Sequence, residues 1–196
     1  MFLLNIKMKS EIFKAVQYLR SGGVILYPCD TIWAMGCDAT NQDAINKIYN
    51  LKKRNISSPL ICLMSDFKMA KRYLSITNKI KNYINSQEKP TTIIYDSVEN
   101  LRTYKNSIAV RIPNDTFCRK LILELDKPIT STSVNFSGKS YPEYFKDIEP
   151  DILNKVDYAV NLKRDVKLQE PSKICLLYTS DAADDTPCVD LGGRRI

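Results

Sequence analysis

The sequence predicts an α/β protein of one domain, a twisted mixed sheet with helices packed on it. Strand-like apolar segments alternate along the chain with segments whose apolar residues recur at helical spacing. The 196 residues suit a single hydrophobic core, and no linker composition divides them. Strands that alternate with helices in a chain of this length are typical of one sheet covered by helices.

Two helices are predicted in the first third of the chain. Ser10 is placed to cap the first helix, and Gly22-Gly23 can end it. Asn41 is placed to cap the second helix, which should end near Lys52. Their apolar stripes are Ile12, Phe13, Val16 and Leu19 in the first, and Ala44, Ile45, Ile48 and Tyr49 in the second.

The remaining elements are predicted from apolar runs and helical periodicity. Strands are predicted at 24–27, 59–64, 91–95, 107–112, 129–131 and 158–160, and helical segments at 67–74, 77–86, 115–125 and 147–154.

Composition excludes several classes of site. The chain has no histidine, which removes Ser-His-Asp and Cys-His catalysis and histidine metal ligands. Its six cysteines form no CxxC unit, so no zinc or redox dithiol motif is predicted. We expect buried, reduced thiols, because free cysteine behaves as a small apolar residue.

Neither a signal peptide nor a run of about 20 apolar residues is recognisable, and we expect a soluble cytoplasmic protein without a membrane partner. The formal charge of +7 is compatible with a nucleotide or nucleic-acid partner. The lysines are spread along the whole chain, however, and a generally lysine-rich composition explains the charge equally well.

The last 22 residues differ in composition from the rest. From Cys175 the richness in Lys, Asn and Ile stops, and the alternation of apolar and polar residues disappears. The stretch is similar to a translated sequencing-adapter read-through, although an ordinary acidic terminal segment is the alternative. We therefore expect a domain at 1–174 and a non-native tail at 175–196 that forms no part of the native core.

Three short segments carry most of the functional signal. The strand at 24–27 runs into Pro28-Cys29-Asp30-Thr31, and open α/β sheets bind ligands where strands end, although a simple turn also explains this pattern. Lys52 and Arg54 can face one anion if the helix unwinds there, although cations are common at helix ends. No glycine-rich phosphate loop is present, so side chains would have to hold any phosphates.

The third segment is the most specific of the three. Residues 130–133 give four consecutive hydroxyls after a strand, followed by Asn135, Ser137 and Gly138. Such groups can bond phosphate oxygens, a ribose or a small amino acid, although a Ser/Thr-rich turn is an alternative.

Five motifs together resemble the YrdC family, also called TsaC, over about residues 10–174. In order, the chain reads YPCDTIWAMG, KKRN with SSPL, AVRIP, TSVNFSG and PSKI. It departs from the family pattern at four positions: Cys29 replaces Thr, Asn55 replaces Pro, Ser58 replaces a frequent Lys, and Lys173 replaces Thr.

The resemblance implies a YrdC-like fold and synthesis of threonylcarbamoyl-AMP and pyrophosphate from L-threonine, bicarbonate or carbon dioxide, and ATP. A tRNA-modifying threonylcarbamoyl transferase would use the product, and Mg²⁺ would come with ATP rather than occupy a dedicated metal site. By resemblance, the catalytic residues are Lys52, Arg54, Ser133 and Asn135. ATP binding would use these four with Ser107, Ser131 and Tyr141, and threonine binding would use Thr31, Arg111 and Ser172.

Two other functions are open at this stage. One is a non-catalytic module that binds double-stranded RNA or tRNA, although the aromatic residues are not interleaved with basic ones as stacking platforms would be. The other is a carbamoyl-transfer enzyme of hydrogenase maturation, for which we expect further zinc-finger and acylphosphatase-like domains that 196 residues do not hold.

Overall fold

The structure, a computed structural model, describes residues 2–56, 60–96, 98–104, 107–168, 170–177 and 188–190. The α-helices of this part of the chain are α1 (Phe2–Arg20), α2 (Gln42–Lys52), α3 (Phe67–Ala70), α4 (Asn78–Ser86), α5 (Thr116–Leu125) and α6 (Pro150–Leu153), and a 3-10 helix spans Phe145–Asp147. The strands are β1 (Ile25–Pro28), β2 (Trp33–Gly36), β3 (Ile61–Leu63), β4 (Thr91–Tyr95), β5 (Ile108–Arg111), β6 (Ile129–Ser133), β7 (Tyr158–Ala159), β8 (Lys173–Leu177) and β9 (Cys188–Asp190).

The described strands form one mixed sheet in the order β7-β1-β2-β6-β3-β5-β4-β8-β9. The pairs β1·β7, β3·β5 and β4·β8 are parallel, and the other neighbouring pairs are antiparallel. The buried apolar side chains form two clusters, and the larger contains residues from α1, α5 and the central strands. The predicted α/β class with one mixed sheet is confirmed.

Polar side chains cap four of the described helices, and one of them is Asp66 at the start of α3. The side chain of Asn41 accepts a hydrogen bond from the amide of Ala44, which confirms the predicted cap of α2. Thr77 and Asp115 cap α4 and α5 in the same way. At its other end α2 stops at Lys52, because Lys53 adopts the left-handed conformation with φ +49°.

The prediction for the first helix was wrong at its start. Ser10 lies inside α1, which begins at Phe2, and Phe13 is 62% exposed although its spacing placed it on the apolar stripe. Ile12, Val16 and Leu19 are buried as expected. The buried apolar face of α1 is therefore narrower than the sequence pattern predicted.

Strand β2 was not predicted, and it directly follows the predicted loop at the end of β1. It pairs antiparallel with both β1 and β6. Gly36 ends β2 where a Cβ atom would lie 2.1 Å from the carbonyl oxygen of Thr130. Only glycine allows this close approach between β2 and β6.

Strand β8 continues past the predicted domain boundary at Ile174. Its residues from Lys173 to Leu176 pair in parallel with β4, and Cys175 is buried in the core. The expectation that the core ends at Ile174 is therefore corrected by three residues of strand. The non-native origin of residues 175–196 stays a prediction, and most of that segment lies outside the described residues.

The cysteines mostly follow the expectation of buried thiols. Cys29, Cys37, Cys62 and Cys118 are free and buried. Cys175 instead takes part in a disulfide, so the expectation of reduced thiols does not extend to it.

Within the described residues, no helix is long and apolar enough to cross a bilayer.

Candidate functional site

A cavity of about 360 Å³ gathers most of the residues that the sequence motifs indicated. Seven predicted site residues line it: Lys52, Arg54, Ser131, Ser133, Asn135, Tyr141 and Ser172. They come from the end of α2, from β6 and the loop that follows it, and from the segment before β8. Residues far apart in the chain thus meet in one concave, polar site of the kind that binds small ligands.

The sheet register explains why these segments meet. Ser131 pairs with Ile61 of β3, and Ile61 pairs with Ala109 of β5, so the three side chains share one face. Arg111 lies two residues beyond Ala109 and therefore points to the same face. The cavity lies over this face, because Ile61, Ser131 and Ser133 all line it.

Lys52 is buried at the back of the cavity, with 2% of its surface exposed. Its ammonium donates to the carbonyl oxygen of Ser133, to the carbonyl oxygen of Asn135 at 2.7 Å and to Asn135 Oδ1 at 3.2 Å. These three acceptors match the three donors of an ammonium group. Burial, together with the nearby charge of Arg54, lowers the pKa of Lys52 to about 7.

Arg54 lies two residues further on and is less buried than Lys52. Its Nη1 donates to Thr132 Oγ1 at 3.4 Å, and burial lowers its pKa below the ordinary value. The left-handed conformation of Lys53 turns the chain between the two cations, so that both line the cavity. The expectation that the helix ends here and lets Lys52 and Arg54 face one site is confirmed.

The loop after β6 is held together by side-chain hydrogen bonds. Ser133 Oγ donates to Asn135 Oδ1 at 2.5 Å, and Asn135 Nδ2 donates to the carbonyl oxygen of Lys139. The amide of Ser137 donates to the carbonyl oxygen of Lys52 at 3.0 Å. Lys52 is therefore tied to this loop through both its side chain and its main chain, and the loop forms one wall of the cavity.

A second region surrounds Arg111, which is 3% exposed and lies behind the loop of residues 29–32. Its Nη1 donates to Thr31 Oγ1 at 3.1 Å, its Nη2 donates to Cys29 Sγ at 3.3 Å, and Nη2 lies 3.5 Å from Asp30 Oδ1. Its Nε is buried and has no hydrogen-bond partner among the described residues. Burial alone would lower the pKa of Arg111, but the neighbouring Cys29 and Asp30 raise it above the ordinary value.

The loop of residues 29–32 borders two cavities. Ile32 lines the large cavity, while Cys29, Asp30 and Thr31 line a second cavity of about 390 Å³. The predicted threonine residues are accordingly split. Ser172 lies in the large cavity, Thr31 lies in the second, and Arg111 lies behind the loop that separates them.

Ser172 and Ser107 are two further residues that the sequence predicted for the site. Ser172 Oγ lies 2.8 Å from Thr92 Oγ1, so a hydroxyl pair stands at the edge of the large cavity. Ser107 precedes β5 and is half-buried, and it is not among the residues that line that cavity. The structure thus does not bring Ser107 to the other predicted ATP-binding residues.

Several residues that adjoin the predicted site residues were not predicted themselves. Thr92 and Thr132 contact predicted residues, and Cys118 Sγ lies 3.6 Å from Cys29 Sγ. Thr132 could have been found, because it lies within the hydroxyl run of β6. Thr92 and Cys118 carry no local signal, since only the pairing of β4 and the packing of α5 bring them near the site.

Three of the four departures from the family motifs lie at the site or directly beside a site residue. Cys29 bonds to Arg111, Asn55 lines the large cavity, and Lys173 begins β8 directly after Ser172. Ser58 lies outside the described residues.

No group of three or more His, Cys, Asp or Glu side chains that could hold a metal ion occurs in the described part of the chain. Among the described residues that line the large cavity, none carries a carboxylate. Their hydroxyl, amide and cationic groups suit the oxygen atoms of an anionic ligand better than they suit a bare cation.

Comparison with known proteins gives a family match. A family model for Sua5, YciO and YrdC proteins, described as telomere recombination, matches residues 17–184. Three similar proteins are named threonylcarbamoyl-AMP synthase. The one from Wigglesworthia glossinidia brevipalpis is 29% identical over 189 residues, which cover 87% of this chain and 90% of the relative. The one from Psychromonas ingrahamii is 32% identical over 144 residues, with 69% and 75% covered, and the one from Vibrio vulnificus is 26% identical over 157 residues, with 76% and 84% covered.

Solved structures share the fold at lower identity. E. coli YciO superposes with a TM-score of 0.76 at 23% identity, covering 92% of this chain and 87% of its own. P. abyssi Sua5 complexed with L-threonine gives 0.74 at 22% identity, and this chain spans 53% of its length while 92% of this chain is covered. Full-length HypF in a phosphate- and nucleotide-bound form gives 0.73 at 18% identity, with 85% of this chain and 27% of HypF covered.

Proposed function

This chain belongs to the Sua5/YciO/YrdC family, and on that premise we propose that it is a threonylcarbamoyl-AMP synthase, a nucleotidyltransferase that forms threonylcarbamoyl-AMP and pyrophosphate from L-threonine, bicarbonate and ATP. The family match over residues 17–184 and the names of the similar proteins support this activity. The observation that carries the proposal is the large cavity, where motifs from three distant parts of the chain meet.

ATP would bind in the large cavity. Arg54 presents a guanidinium fork to phosphate oxygens, and Lys52 adds positive charge at the back of the cavity. Ser131, Ser133 and Tyr141 offer hydroxyls along the same wall. Because Lys52 already donates to three oxygens of the loop after β6, we assign it two roles, namely charge neutralisation and positioning of Ser133 and Asn135.

Threonine would bind where the two cavities approach each other. Arg111 has a buried Nε donor without a partner among the described residues, and a carboxylate is a suitable acceptor for it. Thr31 and Ser172 supply hydroxyls on the two sides of the loop of residues 29–32. P. abyssi Sua5, which shares the fold, has been solved with L-threonine.

The reaction needs little proton transfer from the protein. The amine of threonine can form a carbamate with carbon dioxide, and a carbamate oxygen can attack the α-phosphate of ATP while pyrophosphate leaves. This chain would hold the reactants in line and stabilise the charge that develops on the phosphates. Mg²⁺ would arrive bound to ATP, since the lining residues of the large cavity suit phosphate oxygens rather than a metal ion.

The product would serve a tRNA-modifying threonylcarbamoyl transferase, and we place this activity in the cytoplasm, where tRNA modification would occur. The formal charge of +7 is compatible with contact to double-stranded RNA or tRNA. Such contact would add to the synthase activity rather than replace it.

The direct test is to incubate the protein with labelled bicarbonate, L-threonine and ATP. We expect a labelled adenylate and stoichiometric pyrophosphate. Omission of threonine is the control, because ATP hydrolysis alone would release phosphate without the labelled product. If no labelled adenylate forms but the protein binds tRNA, the RNA-binding module is the better description.

A further inference from the structure

Cys29 and Cys118 form a thiol pair beside Arg111, and the proposed reaction gives neither sulfur atom a role. The two sulfur atoms lie 3.6 Å apart, and both residues are buried. Cys29 lies at the end of β1 in the loop that borders both cavities, and Cys118 lies in the first turn of α5. A bond between them would shorten the sulfur–sulfur distance to about 2.05 Å.

We propose that Cys29 and Cys118 are a reversible modification site, at which hydrogen peroxide forms a disulfide that disturbs the surroundings of Arg111. Cys29 is the thiol that the oxidant meets first, because it lines the 390 Å³ cavity. Cys118 is the resolving thiol, because it lies behind Cys29 and lines none of the cavities described above.

The chemistry balances with peroxide as the oxidant. The Cys29 sulfur loses its proton and attacks one peroxide oxygen, the O–O bond breaks, the leaving hydroxide takes up that proton as water, and a sulfenic acid forms on Cys29. The sulfur of Cys118 then attacks the Cys29 sulfur, an S–S bond forms, and the leaving hydroxide takes up the Cys118 proton as water. Overall, two thiols are oxidised and one peroxide is reduced to two waters.

The contacts of these thiols link the bond to the proposed threonine site. Cys29 Sγ accepts a hydrogen bond from Arg111 Nη2 at 3.3 Å, and the same guanidinium donates to Thr31 Oγ1. The Cys118 thiol also lies 3.4 Å from the carbonyl oxygen of Pro28. A disulfide would draw the end of β1 towards α5 and change the acceptor that orients Arg111. The expected effect on activity rests on the proposed function, whereas the disulfide itself does not.

A disulfide in this place would be transient in a reducing compartment, as regulatory disulfides are.

The other free cysteines that the structure describes have different surroundings. Cys37 Sγ lies 3.4 Å from Thr130 Oγ1, and Cys62 is buried in β3. Among the free cysteines that the structure describes, Cys29 and Cys118 have their sulfur atoms in contact.

The experiment is peptide mapping of the full chain after brief peroxide treatment and alkylation of the remaining thiols. We expect a linked peptide pair containing Cys29 and Cys118, lighter by two hydrogen atoms than the sum of the reduced peptides and absent after dithiothreitol. Recovery of Cys29 as an unlinked sulfinic acid, or of both cysteines fully alkylated, would overturn the proposal.

Threonine-dependent synthesis measured on the same samples tests the consequence. We expect kcat/KM for threonine to fall about tenfold or more on oxidation and to return with dithiothreitol. The Cys118→Ala variant should keep its basal activity and lose this reversible response, while Cys62→Ala should respond like the parent chain. A linked pair with unchanged kcat/KM would establish the site and overturn its effect on threonine. Absence of synthesis before oxidation would overturn the proposed function alone, because the peptide map decides the disulfide independently.

Discussion

Two buried cations, Lys52 and Arg111, belong to the proposed ATP and threonine regions respectively, and their surroundings differ. Lys52 bonds to neutral oxygens, and burial lowers its pKa to about 7. Arg111 is equally buried, but Asp30 and Cys29 contact it, and its pKa is raised. Burial disfavours a charge, and only nearby negative groups reverse the effect.

This difference in surroundings and in pKa indicates different roles for the two buried cations. Arg111 keeps a permanent charge that is balanced by Asp30, and it retains an Nε donor without a partner among the described residues. Lys52 has all three donors occupied and titrates near neutral pH, so its main contacts are with the protein itself. The Arg111 region is thus suited to recognise a small anionic substrate, and the Lys52 region holds a loop in place. The predictions below test this contrast.

The largest expected effect is the discrimination between threonine and valine. The hydroxyl groups of Thr31, Ser172 and Thr92 near Arg111 would bond the substrate hydroxyl. Valine lacks this hydroxyl and would leave buried polar groups of such a site without a hydrogen-bond partner. We therefore expect kcat/KM for threonine to exceed kcat/KM for valine by about 10⁴-fold. Pyrophosphate release with each amino acid measures the ratio. Turnover of valine within tenfold of threonine would contradict a hydroxyl-recognising site.

Arg111→Met should lower the free energy of unfolding by about 3 kcal/mol, since it leaves Asp30 without its buried cationic partner. Denaturant unfolding measures the change. The matched control is Arg72→Met, because Arg72 pairs with Asp126 on the surface, where an ion pair contributes about 1 kcal/mol or less. Equal losses in the two variants would show that burial does not distinguish the pairs.

Lys52→Met and Arg54→Met should reduce synthesis similarly, by about ten- to hundred-fold, because each removes one charge near the phosphates. They should differ in stability. Lys52→Met leaves three buried acceptors without their donor and should lower the free energy of unfolding by about 1 to 3 kcal/mol. Arg54→Met should lower the free energy of unfolding less, because Arg54 is less buried than Lys52. Similar stabilities in both variants would contradict the positioning role of Lys52.

The pH dependence of stability gives a smaller effect. The pKa of Lys52 is about 7 in the folded chain and 10.5 ordinarily, so the unfolded chain binds more protons between these values. The contribution of Lys52 to the free energy of unfolding should therefore rise with pH from about 7 to 10.5, by at most about 1.4 kcal/mol per pH unit. Subtracting the profile of Lys52→Met isolates this slope. A flat difference profile would mean that Lys52 is not desolvated.

The smallest effect is expected from truncation of the chain after Leu177, which keeps β8 intact. With the full chain and the truncated chain both measured under reducing conditions, so that the disulfide of Cys175 does not contribute, we expect a change in thermal midpoint of about 2 to 4 °C at most, since the pairing of β8 with β4 survives. Truncation after Ile174 removes the buried Cys175 and cuts β8, and it should lower the midpoint further. Equal midpoints would support the original expectation that the core ends at Ile174.

The sequence alone was sufficient for the class of fold and for most of the elements. Strand β4 was predicted with its observed ends, and Asn41 was correctly predicted as the cap of α2, because apolar periodicity and capping are local properties. The sequence was also sufficient to identify the family, since five short motifs occur in order. Seven of its predicted site residues meet in one cavity.

Only the tertiary structure determined which residues from distant parts of the chain are in contact. The unpredicted β2 is short, and its pairing with β1 and β6 gives it a partner on each side, which no local pattern shows. Ser107 lies outside the large cavity, because a motif fixes residue type and order but not the direction of a side chain. The three acceptors around Lys52 and the contact of Cys29 with Cys118 join residues about 80 to 90 positions apart. Burial and opposing charge are properties of the folded surroundings, and for this reason the contrast between Lys52 and Arg111 appears only in the assembled sheet.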